Sequence, residues 1–144
     1  MRVIFDTSVL LPAIAQEHPM HAPAWPWLER AHAGEFEFVV AAHTLAELYA
    51  GLSGIPFARR FSPTSAWQVI QDAVISHAKL AALTELEHVA VIEQASQMGL
   101  AGGSVYDALI ARAAQKAKVD KLLTFNIDRF LRVWPEGKRI IRRP

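Results

Sequence analysis

Short apolar stretches that read as strands alternate with helical patterning along this chain, and that alternation limits the possible folds more than any other feature. "RVIF" (2–5), "FEFVVA" (36–41) and "DKLLTF" (120–125) read as strands, with a weaker third strand within 77–83 and a possible edge strand in "KRIIR" (138–142). Between them, apolar periodicity and Pro or Gly punctuation predict a helix starting at Asp6-Thr7-Ser8, with Pro12 near its start. Further helices are predicted over 21–33, about 44–52, near 64–76, about 84–98 and 104–117, with a short one ending near 133. Strand–helix–strand units close by right-handed crossovers. The expected architecture is therefore α/β, with three α/β/α layers around a mostly parallel sheet of four to five strands. At 144 residues, a single domain over 1–144 with one sizeable core is expected. There is no internal repeat and no linker-like tract.

The composition removes several classes of function. Without cysteine there is no disulfide framework, thiolate nucleophile or cysteine-based zinc site. No apolar run approaches the roughly 20 residues needed to span a bilayer, and the N-terminus has no signal-peptide pattern. A soluble, cytoplasmic protein without membrane contact is expected. The net charge is only +1, but residues 1–111 hold 5 Lys/Arg against 11 Asp/Glu, while residues 112–144 hold 10 against 3. That split, −6 followed by +7, suggests an anionic partner for the basic end, or else a solvated face.

Three acids sit where apolar neighbours would bury them. Asp6 interrupts "RVIFDTSVLL", Asp107 lies in "SVYDALIA" and Glu47 in "HTLAELYAG". Burying an unpaired carboxylate costs several kcal/mol, so each needs a compensating partner. Ser104-x-x-Asp107 and Thr44-x-x-Glu47 both have capping-box spacing, which offers a purely structural account. The alternative is convergence. In an open parallel sheet ligands bind beyond the carboxyl ends of the strands; Asp6 follows the first strand there, and the Asn126/Asp128 pair follows the fourth. Carboxylates gathered in one place repel, and a divalent cation resolves that repulsion. Oxygen-only ligands suit hard ions, Mg²⁺ or Mn²⁺. The histidines at 18, 21, 32, 43, 77 and 88 show no metal-ligand spacing.

Four fragments, "VIFDTSVL", "HTLAELYAGLSGIP", "GGSVYDALIARAA" and "LLTFNIDRF", appear in an order and spacing that resembles the PIN-domain nucleases, most closely the VapC-type toxins of bacterial toxin–antitoxin pairs. The resemblance covers nearly the whole chain. It implies that Asp6, Glu47 and Asp107 are the acids of the metal site, with Thr7 or Ser8 as hydroxyl support. Asn126 aligns with the family's fourth acidic position, and Asp128 lies two residues on. An amide is the weaker ligand, which bears on a second metal.

Carboxylate-bound metal would activate water and stabilise the leaving oxygen in phosphodiester hydrolysis. Asp6 and Asp107 would be the chief ligands, and Glu47 would bind through water or orient the nucleophile. Thr124 and Ser104 would hydrogen-bond neighbouring carboxylates or helix-end amides. The resemblance further implies an RNA substrate, a homodimer and an antitoxin that covers the site. Arg112, Lys116, Arg129, Arg132, Lys138 and Arg139 are candidates for flanking phosphates, and Arg59 and Arg60, between Phe57 and Phe61, for a stacking platform. Trp25, Trp27 and Leu28 could present apolar surface to a partner. Two other readings compete. A haloacid-dehalogenase-type phosphatase needs a second Asp two residues after the first, where this chain has Ser8. A catalytically weak RNA- or protein-binding module of the same fold would keep its affinity in EDTA.

Overall fold

A computed structural model describes residues 1–54 and 61–144 and contains one five-stranded sheet, all parallel, in the order β3-β2-β1-β4-β5. The central strand β1 (Arg2–Phe5) lies between β2 (Glu37–Ala41) and β4 (Lys121–Leu123), with Ile4 opposite both Val39 and Leu122. β3 (Lys79–Ala81) and β5 (Ile141–Arg142) form the edges. Val3, Ile4 and Phe5 are fully buried, as an unbroken apolar strand covered on both faces must be.

Alternate strand residues divide the core into two layers. Val3, Phe5, Phe38, Val40 and Leu123 pack under α1 (Thr7–Ile14), α2 (His21–His32), α3 (Ala42–Gly54) and α4 (Pro63–Ile70). Ile4, Val39, Leu122 and Ile141 pack under α6 (Ser104–Ala117) and α7 (Ile127–Val133). α5 (Glu85–Gln97) lies against α6 and buries only Val91 and Ala95. Seven α-helices thus flank the sheet among the described residues. None is long and apolar enough to cross a membrane.

Several boundaries differ from expectation. With Asp6 as N-cap, Pro12 falls inside α1 rather than near its start, where it withholds one backbone donor, and the helix ends at Ile14. The helix expected near 64–76 stops being α-helical at Ile70 and widens into a π-helical turn, Gln71–Ile75, that buries Val74. "KRIIR" contributes only Ile141–Arg142 to the sheet, because Lys138 and Arg139 belong to a 3₁₀ turn over Pro135–Arg139.

The chain builds outward from β1 through β2 to β3, then returns to the other side of β1 for β4 and β5. The strand order therefore reverses between β1 and β4. Their carboxyl ends, at Asp6 and Thr124, border the crevice where such sheets bind ligands.

Candidate active site

β1 delivers Asp6 to the rim, and the residue becomes the N-cap of α1 without using its side chain to cap. Only 4% of Asp6 is exposed. Its Oδ2 accepts hydrogen bonds from Ser8 Oγ (2.6 Å) and Thr124 Oγ1 (2.9 Å). Each hydroxyl also accepts a backbone N–H: Phe125 donates to Ser8 Oγ (3.0 Å) and Asn126 to Thr124 Oγ1 (2.9 Å). Those incoming amides leave the hydroxyl protons for the carboxylate. The ends of β1 and β4 are stitched together around Asp6, and neither of these bonds uses its Oδ1.

Asp107 arrives from the first turns of α6 and is 5% exposed. The capping explanation fails here, since Gly103 is the N-cap and Ser104, the first helical residue, makes no cap bond. Thr44-x-x-Glu47 fails likewise: α3 already begins at Ala42, and the buried Thr44 hydroxyl has no partner. Asp107 instead pairs with Arg129 of α7, whose Nε and Nη2 both lie 2.9 Å from Oδ2. Burial pushes the Asp107 carboxyl above its ordinary pKa, against the pull of Arg129, and the charge of Asp6 adds to the rise.

Glu47, on α3, closes the constellation. Its pKa is raised by burial first, then by the charges of Asp6 and Asp107, which places all three acids within electrostatic reach of one another. Glu47 Oε1 is buried and has no hydrogen bond. His43 Nε2 lies 3.2 Å from it without hydrogen-bond alignment. The His43 ring stacks on Tyr106 at 5.0 Å, and burial, then His88, lowers its pKa, favouring the neutral imidazole. Thr7 Oγ1 is buried on the Glu47 side, also without a well-aligned hydrogen bond.

The remaining candidates are placed differently. Asn126 and Asp128 line a cavity beside the acids together with Phe125, Ile127, Arg129 and Arg143. Lys116 is held away from the acids by Ala82 O (2.9 Å) and Glu87 Oε1 (2.6 Å), and Arg112 Nη2 also approaches Glu87 at 3.9 Å. Lys116 stands nine residues beyond Asp107 on α6, about 13 Å along the axis. Arg59 and Arg60 lie outside the described residues. Leu28 is core, Trp27 packs partly against it, and Trp25 is exposed. The His43–Tyr106 stack and Arg143 were not anticipated; His43 and Tyr106 lie within the fragments that carry the family resemblance, but nothing in either fragment signals that the two rings meet.

Among the described residues, no group of three or more His, Cys, Asp or Glu side chains already closes around one point. The donor chemistry nevertheless fits a hard divalent cation. All three acids supply oxygen, two are almost wholly buried, and Glu47 Oε1 has no hydrogen-bond donor.

The family model for the PIN domain matches residues 3–134. Ribonuclease VapC27 of Mycobacterium tuberculosis is 32% identical over 115 residues, covering 80% of this chain and 78% of the relative. A crystal structure of the sarcin-ricin-loop-cleaving toxin VapC20 of Mycobacterium tuberculosis superposes with a TM-score of 0.71 at 16% identity, over 99% of both chains. VapBC2 of Rickettsia felis, solved bound to a DNA fragment from its promoter, gives 0.65 at 21% identity, over 100% of this chain and 99% of that one.

Proposed function

The chain belongs to the PIN domain family, and from that premise we propose that it is a divalent-metal-dependent endoribonuclease, the toxin of a type II toxin–antitoxin pair. The observation that carries this reading is the burial of Asp6 and Asp107 beside the β1/β4 switch point, with Glu47 raised in pKa by its own burial first and then by the charges of both. Similarity to VapC27 and VapC20 supports RNA as substrate.

Asp6, Glu47 and Asp107 would hold Mg²⁺, or Mn²⁺ in its place, with Asn126 or Asp128 at the fourth position. When bound, the ion would activate water and stabilise charge on the leaving oxygen. Ser8 and Thr124 fix the rotamer of Asp6 by donating to Oδ2. Glu47 Oε1, which makes no aligned hydrogen bond although His43 Nε2 lies 3.2 Å away, would accept a hydrogen bond from an attacking water. Arg129 balances Asp107, and its half-exposed side chain leaves the guanidinium accessible to a phosphate oxygen. Arg132, Lys138 and Arg139 would hold flanking phosphates.

We place the protein in the cytoplasm, acting as one domain over its whole length and as a homodimer covered by an antitoxin. A VapBC assembly among the structural neighbours supports the antitoxin. Leu86, Val89 and Ile92, exposed along α5, support contact with a second copy. One observation favours a catalytically weak binding module: Arg129 already neutralises Asp107 from within.

Cleavage of cellular RNA by the wild type and by Asp6→Asn, in Mg²⁺, Mn²⁺ and EDTA, separates the two. The nuclease reading expects cutting only with metal and a loss of about a hundredfold or more in the variant. Undiminished RNA affinity in EDTA with no cutting under any condition would replace it with the binding module.

A further inference from the structure

Two buried polar atoms on α3 face each other without bonding. His43 Nε2 and Glu47 Oε1 lie 3.2 Å apart, yet neither makes an aligned hydrogen bond. A buried donor or acceptor left unpaired costs free energy, so the misalignment needs a reason. The ring that carries Nε2 is held from its face. It stacks on Tyr106 with centroids 5.0 Å apart and planes 11° from parallel, an arrangement that attracts beyond its buried area. His43 stands in the first turn of α3 and Tyr106 in the first turn of α6. Glu47 follows one turn after His43, and Asp107 is the residue after Tyr106. The stack thus joins the two helices that carry Glu47 and Asp107. Those acids repel, since the charge of Asp107 adds to the rise that burial and Asp6 give the Glu47 pKa. Without a link between them, the two helix ends would yield to that repulsion.

We propose that His43 is a positioning residue of the acid site: its stack on Tyr106 braces α3 against α6, and Nε2 donates to Glu47 Oε1 when the carboxyl turns into line. The proposal rests on the ribonuclease reading and deepens it. Nε2 is buried, so through that atom His43 touches no substrate and acts only by way of Glu47. Burial, then His88, favours the neutral imidazole. With its proton on Nε2, a neutral ring donates to one lone pair of Oε1 and leaves the other for water. The brace sets the gap between the Glu47 and Asp107 carboxylates, and so the affinity for a cation. The donor sets the direction of the Glu47 oxygens, and so the rate at which an oriented water attacks.

The test uses the full chain, Mn²⁺ calorimetry and a labelled RNA fragment spanning a site that wild type cuts in cellular RNA. His43→Phe keeps a ring on Tyr106 and removes the donor. His43 lines a cavity of about 70 Å³ with Leu83 and Leu109, which gives the larger ring room. This variant should lower kcat about tenfold, with KM and Mn²⁺ Kd within about twofold. His43→Gln, which restores an N–H donor at similar reach, should recover kcat to within about threefold of wild type. Tyr106→Leu removes the stack and should weaken Mn²⁺ binding about fivefold, with KM within about twofold at saturating Mn²⁺. Each variant is melted in EDTA first. Tyr106 is 48% exposed, so its replacement spares the core and carries the test if His43→Phe unfolds. If His43→Phe keeps the wild-type kcat, or Tyr106→Leu the wild-type Mn²⁺ Kd, His43 positions nothing. A rise in KM alone would replace the brace with direct contact between these rings and RNA. If wild type binds Mn²⁺ and cuts nothing, the expected loss of Mn²⁺ affinity in Tyr106→Leu upholds the brace while the ribonuclease reading falls. No Mn²⁺ uptake by wild type overturns both.

Discussion

Asp107 and Arg129 oppose the metal they are proposed to serve. With two nitrogens at 2.9 Å from one carboxylate oxygen, the guanidinium occupies the place where a cation's charge is needed. The side chain is half-exposed, so the pair is worth about 1 kcal/mol, or about fivefold in affinity. Arg129→Gln should therefore tighten Mn²⁺ binding about fivefold by calorimetry; weaker binding would show that Arg129 organises the site instead of competing in it. Asp107→Asn should abolish detectable Mn²⁺ uptake and cleavage. The pH response follows from the same crowding. Glu47 and Asp107 have raised folded pKa values, so the native state holds their protons more tightly than the unfolded chain does. Their contribution is favourable below the unfolded values and is lost as pH rises through the folded ones. His43 and His18, with lowered values, act in the opposite sense as pH falls below 6.5. The informative quantity is thus a difference: in EDTA, Glu47→Gln should melt above wild type at neutral pH, with the margin closing as pH falls through the raised folded value toward the ordinary carboxyl value of 4.5. A margin that ignores pH would remove the crowding argument. The acids themselves were legible because a charge in an apolar run demands a partner. Arg129 was legible only as a cation, since nothing local in "NIDRF" specifies that it folds back across 22 residues onto Asp107. The capping boxes misled for the same reason: spacing alone does not show where a helix starts. The true box, Thr84 with Glu87 at the head of α5, has the same spacing as the two that fail.

At the scale of elements, β1, β2, β4 and α6 lie close to where their patterns put them, because apolar strands buried on both faces and an uninterrupted helical stripe carry their own signal. Tertiary packing decided the rest. The π-helical turn after α4 accommodates Val74 in the core, which no local propensity announces. The final strand is short because a 3₁₀ turn first passes under Trp134, and Gly137 makes that passage possible. A Cβ there would stand 2.6 Å from Trp134 Cδ2 and 2.9 Å from Ile141 Cδ1, closer than atoms tolerate. Gly137→Ala should cost about 1–3 kcal/mol in chemical denaturation. It should also loosen β5, measured by faster amide exchange at Leu122, whose N–H is bonded to Ile140 O, and at Thr124, whose N–H is bonded to Arg142 O. A variant as stable as wild type would mean that Trp134 can swing aside and that β5 does not depend on this turn.

For the whole molecule, the decisive contrast is between the two sides of α5. One side buries Val91 and Ala95. The other leaves Leu86, Val89 and Ile92 at 80, 62 and 57% exposure, three residues apart and so along one flank of the helix. Isolated exposed aliphatics are ordinary, whereas a contiguous row marks a contact surface. Burying each such side chain is worth roughly 1.5–3 kcal/mol, and a two-fold pairing would bury every one of them twice. The three side chains carry no charge, but Glu85 and Glu93, exposed four residues either side of Val89, border them, so a second copy would have to set its own cations against these acids. Replacing Leu86 and Val89 together by Lys should therefore convert a dimer to a monomer in sedimentation velocity, with unchanged melting of the monomer unit, since neither residue touches the core. Equal sedimentation of variant and wild type would exclude α5 from the interface. A dimer that persists in the variant would then have to be sought on another face, with Trp25, exposed on α2, as the next position to replace.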